Sequence, residues 1–125
     1  MMKIMVVDDE QDVELLFRQR FRKEMKEGIV EFVFALSGDN AMKYLRSVSP
    51  PEVVLILSDI NMPGMTGIEL LKMVKENFPH LKVCMITAYG DEHNFKSAMA
   101  YGAAEYFTKP LDFEKLKKEM FAATA

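Results

Sequence analysis

Hydrophobic residues in this chain follow two alternating rhythms. "KIMVV" (3–7) is a short unbroken apolar run, the pattern of a strand buried on both faces. Behind it Val13, Leu16, Phe17, Phe21 and Met25 recur at helical spacing, with Glu14, Arg18 and Arg22 on the other face. Gly28 stands where that helix should stop. "IVEFVFAL" (29–36), rich in branched and aromatic residues, predicts a second strand. "SGDNAMKYLRSV" predicts a shorter helix, closed by Pro50-Pro51. "VVLILS" (53–58) reads as a third strand, and "GIELLKMVKENF" as a helix with a stripe of Ile68, Leu71 and Val74 that Pro79 ends. "KVCMIT" (82–87), a helix around "EHNFKSAMAYG" with a weak apolar face, "AEYFT" (104–108) and a final helix from Leu111 complete the series. Five strand-helix units follow one another without a long linker, repeat or low-complexity segment.

Strands that alternate with helices and carry apolar residues on both faces form a parallel sheet with helices on either side. Ligands of such sheets bind beyond the carboxyl ends of the strands, so those ends are where chemistry should be sought. Composition narrows the options further. The 125 residues, half of them hydrophobic, suit one domain spanning 1–125 with a core that needs no covalent staples. A net charge of −3 leaves no basic footprint, so direct nucleic-acid binding is not expected. No apolar run approaches the ~20 residues of a membrane span, and the N-terminal run is too short for a signal peptide. The lone Cys84, inside an apolar strand, reads as a small buried hydrophobe and fits a reducing, cytoplasmic setting.

The strand ends carry an unusual set of groups. The first strand runs into Asp8-Asp9-Glu10, the third into Asp59, the fourth into Thr87 and the fifth into Thr108-Lys109-Pro110. Each has an ordinary structural explanation on its own: an acid capping the first helix, an acid in a turn, a threonine capping a turn, a solvated lysine. Their joint arrival on one edge is harder to explain that way. Two carboxylates ~4 Å apart repel by about 4 kcal/mol at an effective dielectric near 20. Converging acids therefore call for a cation, and a hard divalent ion such as Mg²⁺ takes carboxylate, water and phosphate oxygens together. With a lysine and a hydroxyl alongside, the set suits a phosphoryl group, its oxygens neutralised while a carboxylate attacks in line.

Asp8-Asp9 after the first strand, "SDINMPGMTG" after the third, "MITAYG" after the fourth and "YFTKP" after the fifth together resemble a two-component response-regulator receiver domain over essentially the whole chain. The resemblance implies a flavodoxin-like, doubly wound five-stranded sheet of order 2-1-3-4-5 with five helices. It implies that Asp59 accepts a phosphoryl group from a phosphohistidine on a sensor histidine kinase or histidine phosphotransfer protein. Asp8, Asp9 and Asp59 would hold Mg²⁺ with the backbone carbonyl of Asn61. Thr87 would hydrogen-bond the phosphoryl group and shift on activation, and Ala88 would leave room and offer its N–H. Lys109 would pair with the phosphoryl oxygens, Pro110 would fix a commonly cis peptide bond, and Tyr106 would be the switch aromatic that turns inward. Partner binding or homodimerisation is then expected on the fourth helix, fifth strand and fifth helix, through Phe95, Met99, Tyr101 and Tyr106. Such a protein catalyses only its own phosphorylation and dephosphorylation.

The rival reading is an aspartyl-nucleophile phosphatase of the haloacid-dehalogenase-like type. Those enzymes carry a second acid two residues after the nucleophile, where this chain has Asn61, and an amide cannot transfer that proton. Nucleotide-binding glycine motifs are absent. A passive interaction module that merely keeps the fold is disfavoured by the full reactive set. Methionines such as Met25, Met73 and Met85 fall at core-like positions and read as gap-fillers; His80 and His93 show no ligand-like spacing. "FRQRFRKEMKEGIVEFVF" is longer and more basic than the resemblance leads one to expect, and the receiver reading gives it no function.

Overall fold

A computed structural model describes residues 2–47, 52–87 and 92–123. Five strands, β1 (Met2–Val7), β2 (Val30–Ala35), β3 (Leu55–Asp59), β4 (Lys82–Thr87) and β5 (Glu105–Thr108), form one sheet of order β2-β1-β3-β4-β5. Every neighbouring pair is parallel. Between and after them lie α1 (Asp12–Arg20), α2 (Arg22–Lys26), α3 (Gly38–Ser47), α4 (Gly67–Asn77), α5 (Glu92–Ala100) and α6 (Phe113–Ala123).

The unbroken apolar strands bury both faces, each in its own core. Met5, Val7, Ile56, Val83 and Met85 point to one side, against Leu45 of α3, Leu70, Leu71 and Val74 of α4 and Ala98 of α5. Ile4, Val6, Leu55, Leu57, Cys84 and Ile86 point to the other, against Phe17 and Phe21 and against Phe113 and Leu116 of α6. Complete burial of one such side chain contributes about 1.5–3 kcal/mol, so the central strands β1, β3 and β4 carry much of the buried apolar surface of both cores. No helix among the described residues is long and apolar enough to cross a membrane.

The helix count departs from the expected five, because the first predicted helix is two. Phe21 leaves the helical region with φ −108° and ψ 18°, separating α1 from α2. Its ring is fully buried, stacked 5.8 Å from Phe17 and edge-on to Phe32 at 5.0 Å. Hydrophobic spacing is blind to the break, since Phe17 and Phe21 stand four residues apart on either description. Packing of these rings also leaves Leu16, expected on the buried face, 39% exposed. The final helix starts later than Leu111: the Asp112 carboxylate accepts the N–H groups of Glu114 and Lys115 at 3.1 and 3.2 Å and caps α6. The fourth and fifth predicted helices are thus α5 and α6.

One connection bears directly on the sheet edge. Thr66 and Glu69 form a reciprocal capping box at the start of α4. The first residue of that helix, Gly67, donates its N–H to the Ile60 carbonyl at 2.9 Å. A Cβ on Gly67 would collide with the carbonyl oxygen of Asp59, so only glycine lets α4 start this close to the end of β3. Gly64 takes the left-handed conformation, φ +74°, that the "MPG" turn requires.

Candidate functional site

Strand register brings the predicted groups to one edge. Asp8 follows β1 and is held by its N–H, which donates to the Ala35 carbonyl at 3.1 Å. Asp59 ends β3 opposite Ile86 of β4, and Ile60 extends that pairing by donating to the Ile86 carbonyl at 3.1 Å. Thr87 ends β4 opposite Thr108, and the Lys109 N–H donates to the Thr87 carbonyl at 2.8 Å. The Lys109–Pro110 peptide bond is cis.

At this edge Asp8, Asp9 and Asp59 each offer a carboxylate oxygen within 4.8 Å of the others. Asp8 and Asp59 are buried and Asp9 is exposed. Lys109 Nζ lies 3.5 Å from Asp59 Oδ1 and 3.7 Å from Asp8 Oδ2. The Glu10 N–H donates to Asp8 Oδ1 at 2.9 Å. Burial pushes the Asp8 carboxyl above the ordinary range, against the opposing pull of the Glu10 N–H and Lys109. Burial and then the neighbouring Asp8 raise the Asp59 carboxyl, again against Lys109. Partial burial works against the Lys109 charge, but Asp59 and Asp8 outweigh it and hold its pKa above the usual lysine value. One ammonium does not neutralise three acids. Their hard oxygen donors, closely grouped and short of positive charge, fit a divalent cation of the Mg²⁺ type.

Thr87 is fully buried, and its hydroxyl has no hydrogen-bond partner among the described residues. A buried hydroxyl without a partner is costly, and an acceptor oxygen brought to this edge would relieve that cost. Asn61, two residues beyond Asp59, is exposed. Tyr106 is half-buried on β5, paired in register with Met85 and packed edge-on against Phe95 of α5. It is not among the charged groups at the edge; its place is on the β5–α5 side. Ala88 lies outside the described residues. Cys84 is buried, its thiol pushed up to about 12 chiefly by burial, which makes it a packing residue and not a nucleophile.

Two contributors were not singled out from the sequence. Gly67 supports the backbone of Asp59, and the sign of this was the "TG" step that opens a helix at a capping threonine. Glu10 acts through its backbone N–H, which carries no side-chain signature.

Comparison with known proteins agrees with this geometry. A family model described as the response regulator receiver domain matches residues 4–121. Sporulation initiation phosphotransferase F of Bacillus subtilis (strain 168) is 33% identical over 115 residues, covering 92% of this chain and 87% of that protein. The response regulator protein FleR of Pseudomonas aeruginosa is 34% identical over 91% of this chain, which spans only 23% of FleR. Among solved structures, the response regulator TrrA from Thermotoga maritima, in complex with Mg(2+)-BeF, superposes with a TM-score of 0.80 at 30% identity, covering 98% of this chain and 99% of that one.

Proposed function

The chain belongs to the response regulator receiver domain family, phosphorylation-dependent signalling switches, and from that premise we propose that Asp59 is the residue phosphorylated. In this reading residues 1–125 work as one receiver domain. An Asp59 carboxylate oxygen attacks the phosphorus of a phosphohistidine on a sensor histidine kinase or histidine phosphotransfer protein. The new O–P bond forms in line as the P–N bond breaks, and the imidazole leaves with the electron pair and takes up a proton from solvent. Mg²⁺, when held by Asp8, Asp9, Asp59 and the Asn61 carbonyl, supplies the charge that offsets the phosphoryl oxygens.

The chain's own groups do the rest. Lys109, already within 4 Å of both buried acids, transfers its ammonium to the incoming phosphoryl oxygens, and Ala88 offers a backbone N–H. The Thr87 hydroxyl finds in the phosphoryl group an acceptor that no described residue offers it. Drawing Thr87 toward that group vacates space for the ring of Tyr106, and the change reaches α5, β5 and α6, where a partner or second copy binds. Asn61, an amide, offers no proton for turnover of external phosphoesters, so the activity is confined to the chain's own phosphorylation and dephosphorylation. The observation that carries this reading is the meeting at one sheet edge of three acids, a lysine and a buried hydroxyl that has no partner among the described residues.

Incubation with a radiolabelled small acyl phosphate and Mg²⁺ tests it. The parent chain should take up label and Asp59→Asn should take up none, since an amide oxygen is a poor nucleophile. Undiminished labelling of that variant would place the chemistry on another residue.

A further inference from the structure

The basic segment that the receiver reading leaves unused has a defined place in the fold. Residues 18–26 carry five cations and one acid in a chain of net charge −3. They form the end of α1 and the whole of α2, and with α6 they enclose a shallow concavity of about 510 Å³. Arg20, at the end of α1, also lines a second cavity that reaches Asp8 and Lys109 of the acidic edge, whereas Arg22, Lys23, Lys26 and Lys117 do not line it. The two charged regions adjoin at Arg20, and Arg22, Lys23, Lys26 and Lys117 belong to the basic one.

Two of the cations lining the concavity are already fixed. The Arg20 guanidinium lies over the Phe113 ring, 5.4 Å from its centroid. Lys117 Nζ lies 5.1 Å from the Phe21 centroid and 3.0 Å from Glu24 Oε2. Stacking on buried rings holds both in place before any ligand arrives, which lowers the ordering cost of binding. Three more, Arg22, Lys23 and Lys26, are exposed and make no ion pair with a described residue. The one carboxylate lining the concavity, Glu24, is paired with Lys117, so these two charges offset each other and the three exposed cations supply the net positive charge. A concave surface with several unneutralised cations and two pinned ones is complementary to a compact ligand of high negative charge. Guanidinium forks favour phosphate oxygens in particular.

We infer that the concavity between α1–α2 and α6 binds a polyphosphate anion, a short chain of linked phosphoryl groups, independently of phosphorylation at Asp59. The same chemistry is offered by free inorganic polyphosphate and by the phosphate tail of a nucleoside triphosphate.

The test is a titration of the full chain, ¹⁵N-labelled, with tripolyphosphate in Mg²⁺-free buffer of low ionic strength, where charge screening is weak. Saturable shifts should centre on residues 20–26 and on Lys117. The Arg22→Ala, Lys23→Ala, Lys26→Ala variant alters only exposed side chains and should bind about tenfold or more weakly, as loss of charge-assisted hydrogen bonds requires. Its Asp59 labelling by acyl phosphate should be unchanged. A parallel titration with ATP separates the sources: affinity at or above that of tripolyphosphate supports a nucleotide tail, and weaker affinity supports free polyphosphate. The inference is overturned by absence of saturation, by shifts confined to the Asp59 edge, or by equal affinity in the triple variant. Binding to vesicles of anionic phospholipid without binding of tripolyphosphate would overturn it as well and make this face a membrane contact.

Discussion

Lys109 Nζ stands 3.5 Å from Asp59 Oδ1, yet the Asp59 carboxyl is still held above its ordinary pKa. Burial and the adjacent Asp8 outweigh the lysine. The folded chain therefore binds the Asp59 proton more tightly than the unfolded chain. Such a group's contribution to stability is fully present below the unfolded-state pKa, about 3.9, and is lost as pH rises through the folded-state value. Glu24, whose carboxyl is lowered despite burial because Lys117 binds it, works in the opposite sense, so a variant comparison is needed. In chelator-treated protein Asp59→Asn should be more stable than the parent at neutral pH, and the difference should shrink as pH falls toward 4. Urea unfolding at a series of pH values measures this; a difference that grows on acidification would mean that Lys109 governs the site.

Metal should relieve the same repulsion. A ligand that binds only the folded state stabilises it by about 2.7 kcal/mol at a hundredfold excess over Kd. For a domain of this size each kcal/mol raises Tm by about 4 °C. Millimolar Mg²⁺ is thus expected to raise the melting temperature by several degrees. Asp9→Ala should abolish the increase, and by removing one repulsive charge it should leave the metal-free fold at least as stable. A full Mg²⁺ response in that variant would reduce Asp9 to a surface acid beside the helix.

Thr87 offers a test without metal. Its hydroxyl is buried and has no partner among the described residues, and a buried polar group in that state costs roughly 1–3 kcal/mol. Thr87→Val keeps the shape and removes the polar atom, so it should stabilise the resting fold by about 1 kcal/mol. The same variant should lose the conformational response to beryllofluoride. Loss of stability on substitution would show the hydroxyl to be satisfied in the resting protein.

Features written in side-chain pattern were legible in advance, and features settled by backbone contact were not. The unbroken runs at β1, β3 and β4 announce strands covered on both faces, and the edge residues follow from counting strand ends. Asp8, Asp9, Asp59, Thr87 and Lys109 all meet where that count predicts. The break at Phe21 escapes because a helix and a helix interrupted by one residue share the same four-residue spacing of Phe17 and Phe21. Leu16 ends half-exposed for a related reason: apolar spacing names the inner face, but ring packing decides which member of it reaches the core. The close seat of Gly67 beneath Asp59 depends on the direction in which β3 enters its turn; the "TG" step marks where α4 starts but not that direction.

The proposed switch surface includes an aromatic contact between Tyr106 and Phe95. The Tyr106 ring meets that of Phe95 edge-on, with 5.0 Å between centroids and 86° between planes, and so couples β5 to α5. An edge-to-face pair contributes about 0.5–1.5 kcal/mol beyond its buried area, too little to hold against a phosphoryl group that recruits Thr87 and Lys109 together. Phe95 and Met99 of α5, and Tyr101 just after it, are each close to half-exposed, so this face already presents apolar surface. Inward rotation of Tyr106 would break its contact with Phe95 and change that surface directly. A ligand shifts such an equilibrium only by its differential affinity for the two states, so beryllofluoride with Mg²⁺ should move amide resonances at the Asp59 edge and, in the same titration, along α5 and at Tyr106. Self-association or partner binding through α5, β5 and α6 should tighten alongside. In Tyr106→Ala the edge should still respond while α5 falls silent. Shifts that stay around Asp59 in the parent chain, never reaching Tyr106 or α5, would exclude this route and place the output surface elsewhere.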